Sequence, residues 1–246
     1  MNLFLIDQPA VELIWEATDK RAIHLRKVLL AGNGDLVDFG VINGPRGKGK
    51  VNWLKDGRVK LDFQWEKQHP NDLLPISLWV GLSRPQTCRK ILVQAAALGV
   101  AELIFFGSDK GEPSYGLSSL WKEEWFELLI QGTEQAFACH VPSCQRVSGL
   151  DEALSVSSFH CQTRLALDVY EADGPLSPMT KDTVGPVQLV IGSERGWSAR
   201  ERDWLRQNDF ALNHLGDRVL RVETAMVAAV GMLASAYWSG GNERTE

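Results

Sequence analysis

The sequence predicts an α/β protein: a mostly parallel sheet in the C-terminal two-thirds, preceded by a smaller β-rich region. Three observations carry this. Apolar runs at residues 76–82 and Val100–Phe106 flank a helix-periodic stretch at residues 87–98, the β-α-β order of a parallel pair with a right-handed crossover. Two later apolar runs, Val187–Ile191 and residues 211–215, each end in a glycine, Gly192 and Gly216, before a helix signal. Residues 35–42, 48–54 and 58–65 carry strand patterns, the last alternating apolar and polar residues with period two.

Taken in order, residues 23–30 suggest a short helix, and residues 43–47 the loop between two strands. The run GPRGKGK at residues 44–50 nearly spells a phosphate loop. Val51 stands where the magnesium-holding hydroxyl is needed, and a strand rather than a helix should follow, so a hairpin tip carrying Arg46, Lys48 and Lys50 is the expectation. Residues 64–75 are polar and contain Pro70 and Pro75, as a linker would. The helix at 87–98 should stop at Gly99. Leu120, Trp121, Trp125, Leu128 and Leu129 form a helical stripe within residues 117–137, read as core or dimer contact. Residues 164–168 should be another strand. Ser198 and Glu201 have capping-box spacing, so a helix should begin at Ala199 with Trp204 and Leu205 on its apolar face. Residues 224–238 are an alanine-rich helix, with Thr224 as its expected N-cap.

The chain has 246 residues, 44% hydrophobic and 23% charged, with a net charge of −5. No global basic field draws in nucleic acid, so RNA binding needs a local patch. No signal peptide or membrane-length apolar run is visible, and a soluble cytoplasmic protein is expected. Cys139, His140, Cys144, His160 and Cys161 fit no standard zinc spacing, and no metal site is expected.

The two glycine loops are either ordinary strand-to-helix turns or the seat of a flat, polar ligand at the carboxyl edge of the sheet. Here IGSERGWSARE (residues 191–201) and LGDRVLRVETA (residues 215–225) resemble the signature of the RsmE family. That signature reads roughly I-G-P-E-G-G-F/L-S/T-x-x-E, then L-G-x-R-I/V-L-R-x-E-T-A. The second block agrees at every fixed position; the first has Ser193 for proline and Arg195 for glycine. TEQAFACHVP at residues 133–142 keeps Glu134, Gln135, Val141 and Pro142 of a further family motif, with Ala138 in place of arginine. His24, Leu25, Val28 and Leu29 match an N-terminal motif whose final arginine is Leu30 here, and the arginine common at the first strand is missing.

The resemblance implies a C-terminal SPOUT α/β-knot, a deep trefoil knot in a mostly parallel sheet, with an N-terminal PUA-like β-barrel. The implied domains are residues 1–68 for the barrel, 69–75 for the linker and 76–240 for the methyltransferase domain, with a disordered tail at 241–246. It implies methylation of a uridine N3 in 16S ribosomal RNA, free or in the small subunit, with S-adenosylmethionine as cofactor and a homodimer formed through the knot. Met226, Val230, Leu233 and Tyr237 are the expected dimer contacts. Leu167, Ile191, Gly192, Glu194, Gly196, Leu215, Gly216 and Leu220 would contact the cofactor. His24, Arg26, Lys27, Arg46, Lys48, Arg84 and Arg89 would grip RNA. Arg221 would stabilise charge on the uracil, and Glu223 would orient Arg221 or take a proton; the alternative is an Arg221–Glu223 ion pair that only shapes the loop. Two rivals stay open: a knot protein that binds RNA or ribosomes without methylating them, and an enzyme for another RNA.

Overall fold

A computed structural model of the chain describes residues 3–67, 70–159, 163–178 and 185–238. His160, Cys161 and the tail expected to be disordered lie outside them. The chain divides into two compact units, Met1–Asp72 with Thr133–Val141, and Leu73–Gly132 with Pro142–Glu246. The short return of Thr133–Val141 to the first unit is not visible in the sequence pattern.

The first unit is a five-stranded sheet in the order β1-β3-β4-β5-β2, formed by β1 (Leu3–Ile6), β2 (Glu12–Trp15), β3 (Leu36–Val41), β4 (Arg46–Trp53) and β5 (Val59–Trp65). Only β1 and β3 run parallel. Phe4 of β1 and Trp15 of β2 lie at opposite ends of that order, yet their ring centroids are 5.7 Å apart in an edge contact. The sheet therefore curls around one core, which also takes in Leu25, Phe39, Val51 and Leu61. Glu134 accepts a hydrogen bond from the Leu5 N–H at 2.8 Å, tying the return segment to β1. The first helix, α1 (Lys20–Lys27), starts earlier than its apolar pattern suggests because the Asp19 side chain caps it. It also stops earlier, since Leu30 adopts a left-handed φ of 52° and the chain turns away.

The second unit is a seven-stranded parallel sheet in the order β10-β12-β9-β11-β6-β7-β8. Its strands are β6 (Leu74–Gly81), β7 (Val100–Phe106), β8 (Ser143–Val147), β9 (Thr163–Leu167), β10 (Gly174–Pro175), β11 (Val187–Ile191) and β12 (Ala211–His214). The central β11 lies between β6 and β9 and is buried throughout, which explains its unbroken apolar run. Helices α2 (Pro85–Ala97), α3 (Trp125–Gln135), α4 (Leu150–Val156), α5 (Ala199–Gln207) and α6 (Val222–Trp238) connect or follow the strands.

Gly99 ends α2 with φ 76°, and the Ser198–Glu201 capping box opens α5, both as the sequence predicts. The single helix expected over residues 117–137 is broken instead. A 3-10 turn (Pro113–Leu117) and a π turn (Leu120–Glu124) precede α3, where the Trp121 indole donates to the Tyr115 carbonyl and its ring meets Phe105 edge-on. Thr224 lies inside the first turn of α6 and is not its N-cap. Met226, Val230 and Leu233 are fully buried within the protomer, against the expectation of a dimer contact, because α6 packs on α2. Tyr237 donates to the Gly185 carbonyl. Among the described residues no helix is long and apolar enough to cross a membrane.

Candidate active site

The carboxyl ends of β9, β11 and β12 open onto one cleft of about 630 Å³. Its walls are the segments that leave those strands, the chain from Arg218 to Ala225, and the first turns of α2 with Arg84, Thr87 and Lys90. All the residues expected to contact a cofactor line it: Leu167, Ile191, Gly192, Glu194, Gly196, Leu215, Gly216 and Leu220. Arg221 and Glu223 line it too. A smaller cleft of about 330 Å³ lies beside Ser108, Ser148 and Trp204. The Arg200–Asp109 ion pair lies in its lining and it gathers none of these residues, so the larger cleft is the candidate site.

Packing and backbone geometry fix the loops. Trp197 is 1% exposed, donates to the Leu167 carbonyl at 2.8 Å, and stacks on Phe106 at 6.0 Å between centroids. It thereby clamps the end of β9 to the loop after β11. A Cβ on Gly192 would meet the Trp197 ring at 3.1 Å, which is why that position has no side chain. Gly196 and Gly216 both have left-handed φ, 65° and 98°, and the space where a Cβ would stand is open. Glu194 accepts from the Arg84 N–H at 2.9 Å, so its carboxylate joins the loop to the start of α2.

Asp168, one residue beyond β9, is 6% exposed and forms an ion pair with Arg202. Burial alone would push its carboxyl up, but the Arg202 guanidinium and the Tyr170 N–H hold it below the ordinary value. Glu223 pairs with Lys90 at 3.1 Å and makes no ion pair with Arg221, so the alternative in which those two merely shape the loop is not what forms. Burial works against the Glu223 charge, while its own N–H, Lys90 and the nearby Arg221 together lower its pKa. Arg221 is exposed and its guanidinium hydrogen-bonds to no described residue; its carbonyl accepts from the Ala225 N–H at 2.8 Å.

The residues assigned to RNA divide between the units. Arg84 lines the cleft. Arg89, on α2, is held by both oxygens of Glu124. In the first unit Arg46 and Lys48 are not at a hairpin tip. Strand β4 begins at Arg46, Arg46 donates to the Phe137 carbonyl, and Lys48 pairs with Asp38. Arg26 covers the Trp53 ring at 4.1 Å and donates to the Gly57 carbonyl. His24 meets Phe4 edge-on, and Lys27 is exposed in the last turn of α1. Sequence reasoning missed Asn213. Its Oδ1 is buried at the cleft wall with no hydrogen-bond partner.

An RNA methyltransferase domain model matches residues 69–234. A ribosomal RNA small subunit methyltransferase E from Treponema pallidum is 30% identical, the alignment covering 96% of this chain and 92% of the relative. The chain belongs to this RNA methyltransferase family. The Borreliella burgdorferi ribosomal RNA small subunit methyltransferase E 1 is 26% identical over 96% of this chain and 98% of its own. In fold, the chain is similar to the Neisseria gonorrhoeae ribosomal RNA small subunit methyltransferase E, solved bound to S-adenosylmethionine, with TM-score 0.76 and 22% identity over 96% of this chain and 98% of that one. A Legionella pneumophila protein solved with the same cofactor gives TM-score 0.74 at 20% identity, covering 95% of this chain and 97% of its own.

Proposed function

We propose that this methyltransferase uses S-adenosylmethionine to methylate N3 of a uridine in 16S ribosomal RNA, with Arg221 and Glu223 as its catalytic pair. The observation that carries the reading is the convergence of three strand ends, two left-handed glycines and Arg221 on one cleft. The residues fit the cofactor. The open space over Gly196 and Gly216 leaves backbone accessible to a flat ring, and the orphaned Asn213 Oδ1 is an acceptor for an amino group such as adenine carries. Leu167, Ile191, Leu215 and Leu220 supply apolar surface, and Glu194 serves chiefly to hold the loop.

When bound, the cofactor supplies an electrophilic methyl for in-line displacement. The protein's task is then positioning and electrostatics. Uracil N3 is a poor nucleophile while it holds its proton. Arg221, with no described partner, is available to donate to a uracil oxygen and favour the anionic ring. The Glu223 carboxylate is kept ionised by Lys90 and lies in the first turn of α6, where the helix dipole also favours negative charge. The carboxylate is therefore in the form that accepts a proton, and its lowered pKa makes it a weak base in that role. The relatives that carry the name ribosomal RNA small subunit methyltransferase E support 16S RNA as the substrate.

We also infer the knotted threading and a homodimer. With Met226, Val230 and Leu233 buried, the exposed apolar residues Val219 and Val227 beside and on α6 are the ones we assign to contact with a second copy.

The test is methyl transfer to 16S RNA, read by mass analysis for N3-methyluridine. Arg221→Ala should keep cofactor affinity within about threefold, the scatter expected of a lost exposed contact, and lose turnover by at least ~100-fold. Undiminished turnover would remove Arg221 from the mechanism. Transfer to other RNA with none to 16S would favour the rival substrate, and absence of cofactor binding would favour the non-catalytic one.

A further inference from the structure

The cleft holds a population of arginines found nowhere else among the described residues. Arg84, Arg195, Arg218 and Arg221 all line it, all are exposed, and none has a guanidinium hydrogen-bonded to a described residue. Every other described arginine donates to an oxygen of the protein itself, from Arg21 on Asp19 and Arg58 on Asp56 to Arg200 on Asp109 and Arg206 on Glu171. In a chain of net charge −5 with so many carboxylates available, a cluster that avoids them is not a by-product of composition.

The carboxylates of the same cleft are already engaged: Asp168 by Arg202, Glu223 by Lys90, and Glu194 by the Arg84 N–H. None of them is hydrogen-bonded to any of the four guanidiniums, although Arg221 lies near enough to Glu223 to lower its pKa. In the first unit every described arginine is spent on an internal partner. Arg46, Lys48, Arg58 and Lys60 all have partners there. Arg46 and Lys48, two of the side chains expected to grip RNA, are thus consumed, while the cofactor cleft keeps four guanidiniums unpaired.

We propose that Arg195 and Arg218, with Arg84, hold the phosphates that flank the target uridine, so that the mouth of the catalytic cleft supplies the backbone grip on RNA. Arg195 has the decisive position. It stands on the loop between β11 and α5, beside Gly196, and lines the cleft. A guanidinium there reaches out from the cofactor loop at no cost to a neighbour, since it displaces no internal bond. Planar, permanently charged and forked, it suits phosphate oxygens better than an ammonium does.

This rests on the RNA methyltransferase reading, and its test is independent of turnover. Binding of a single-stranded oligouridylate is measured against KCl concentration for the wild type and for the Arg195→Ala, Arg218→Ala double variant. Cofactor binding to both is measured by calorimetry. Each lost phosphate contact should flatten the slope of log K against log salt by about 0.7, so the double variant should lose about 1.4. Its S-adenosylmethionine affinity should match the wild type. Arg58→Ala, on an arginine already paired with Asp56, should leave the slope unchanged and controls for net charge.

An unchanged slope in the double variant overturns the proposal. So does an unchanged slope with weakened cofactor binding, which would put these arginines on the cofactor's carboxylate. If the double variant shows the expected slope change while the wild type fails to methylate 16S RNA, the function proposed above is refuted and this inference stands.

Discussion

Asp168→Ala should destabilise the second unit by about 3 kcal/mol, the low end of what breaking a buried ion pair costs. The reasoning runs from burial. The Asp168 side chain is 2% exposed and that of Arg202 11%, so neither charge is well solvated once the other is gone. The cost stays at the low end because Arg202 keeps a second partner, Glu171, at 3.3 Å, and Glu171 is half-exposed. The Tyr170 N–H also loses its acceptor, but on an exposed loop water replaces it.

For a unit of this size ~3 kcal/mol corresponds to a fall in Tm of roughly 6–12 °C. The loss should depend on pH with a definite sign. The folded-state pKa of Asp168 lies below its unfolded value near 3.8, so its contribution is full above that value and disappears as pH falls through the folded one. Wild type and variant should therefore differ most at neutral pH and converge in acid. A double-mutant cycle with Arg202→Met separates the pair energy from the loss of either side chain. A neutral-pH difference under ~1 kcal/mol, the scale of an exposed pair, or one that persists undiminished at low pH, would refute the argument.

Lys90→Met should move the acid limb of the activity profile toward higher pH, because Glu223 loses the cation that helps hold it below the ordinary 4.5; the effect on stability should stay within ~1 kcal/mol for so exposed a lysine, and should shrink with salt. Asn213→Ala should leave the melting temperature unchanged or slightly raised, since it removes an unsatisfied buried acceptor, while calorimetry shows cofactor affinity down by roughly 2- to 12-fold, the worth of one net hydrogen bond. Leu30→Gly should stabilise the first unit by about 0.5–1 kcal/mol in urea unfolding: Leu30 is 78% exposed at φ 52°, and relief of the left-handed strain outweighs glycine's extra unfolded-state entropy. Glycine lowering stability there would show that the turn depends on the leucine side chain.

Much of the site was legible because its signals are local. A capping box needs only Ser198 and Glu201 three residues apart, and α5 begins where they place it. The glycines of the two loops follow from backbone geometry that only glycine adopts cheaply, and the buried parallel strands from unbroken apolar runs. The chain's own letters therefore determined the α/β class, the principal strands of the parallel sheet, and the loops that line the cleft.

Which charges are free is a different kind of fact. Arg46 and Arg195 read alike in sequence, but one is spent on the Phe137 carbonyl and the other is left exposed on the cleft. Lys90 and Glu223 are far apart in sequence and become partners only when α2 packs against α6. The same packing buried Met226, Val230 and Leu233, whose spacing had suggested an outward face. Local pattern fixes which backbone shape is cheap at each position. Only the folded chain decides which side chains find partners, because those partners are brought together by burial of surfaces distant in the sequence.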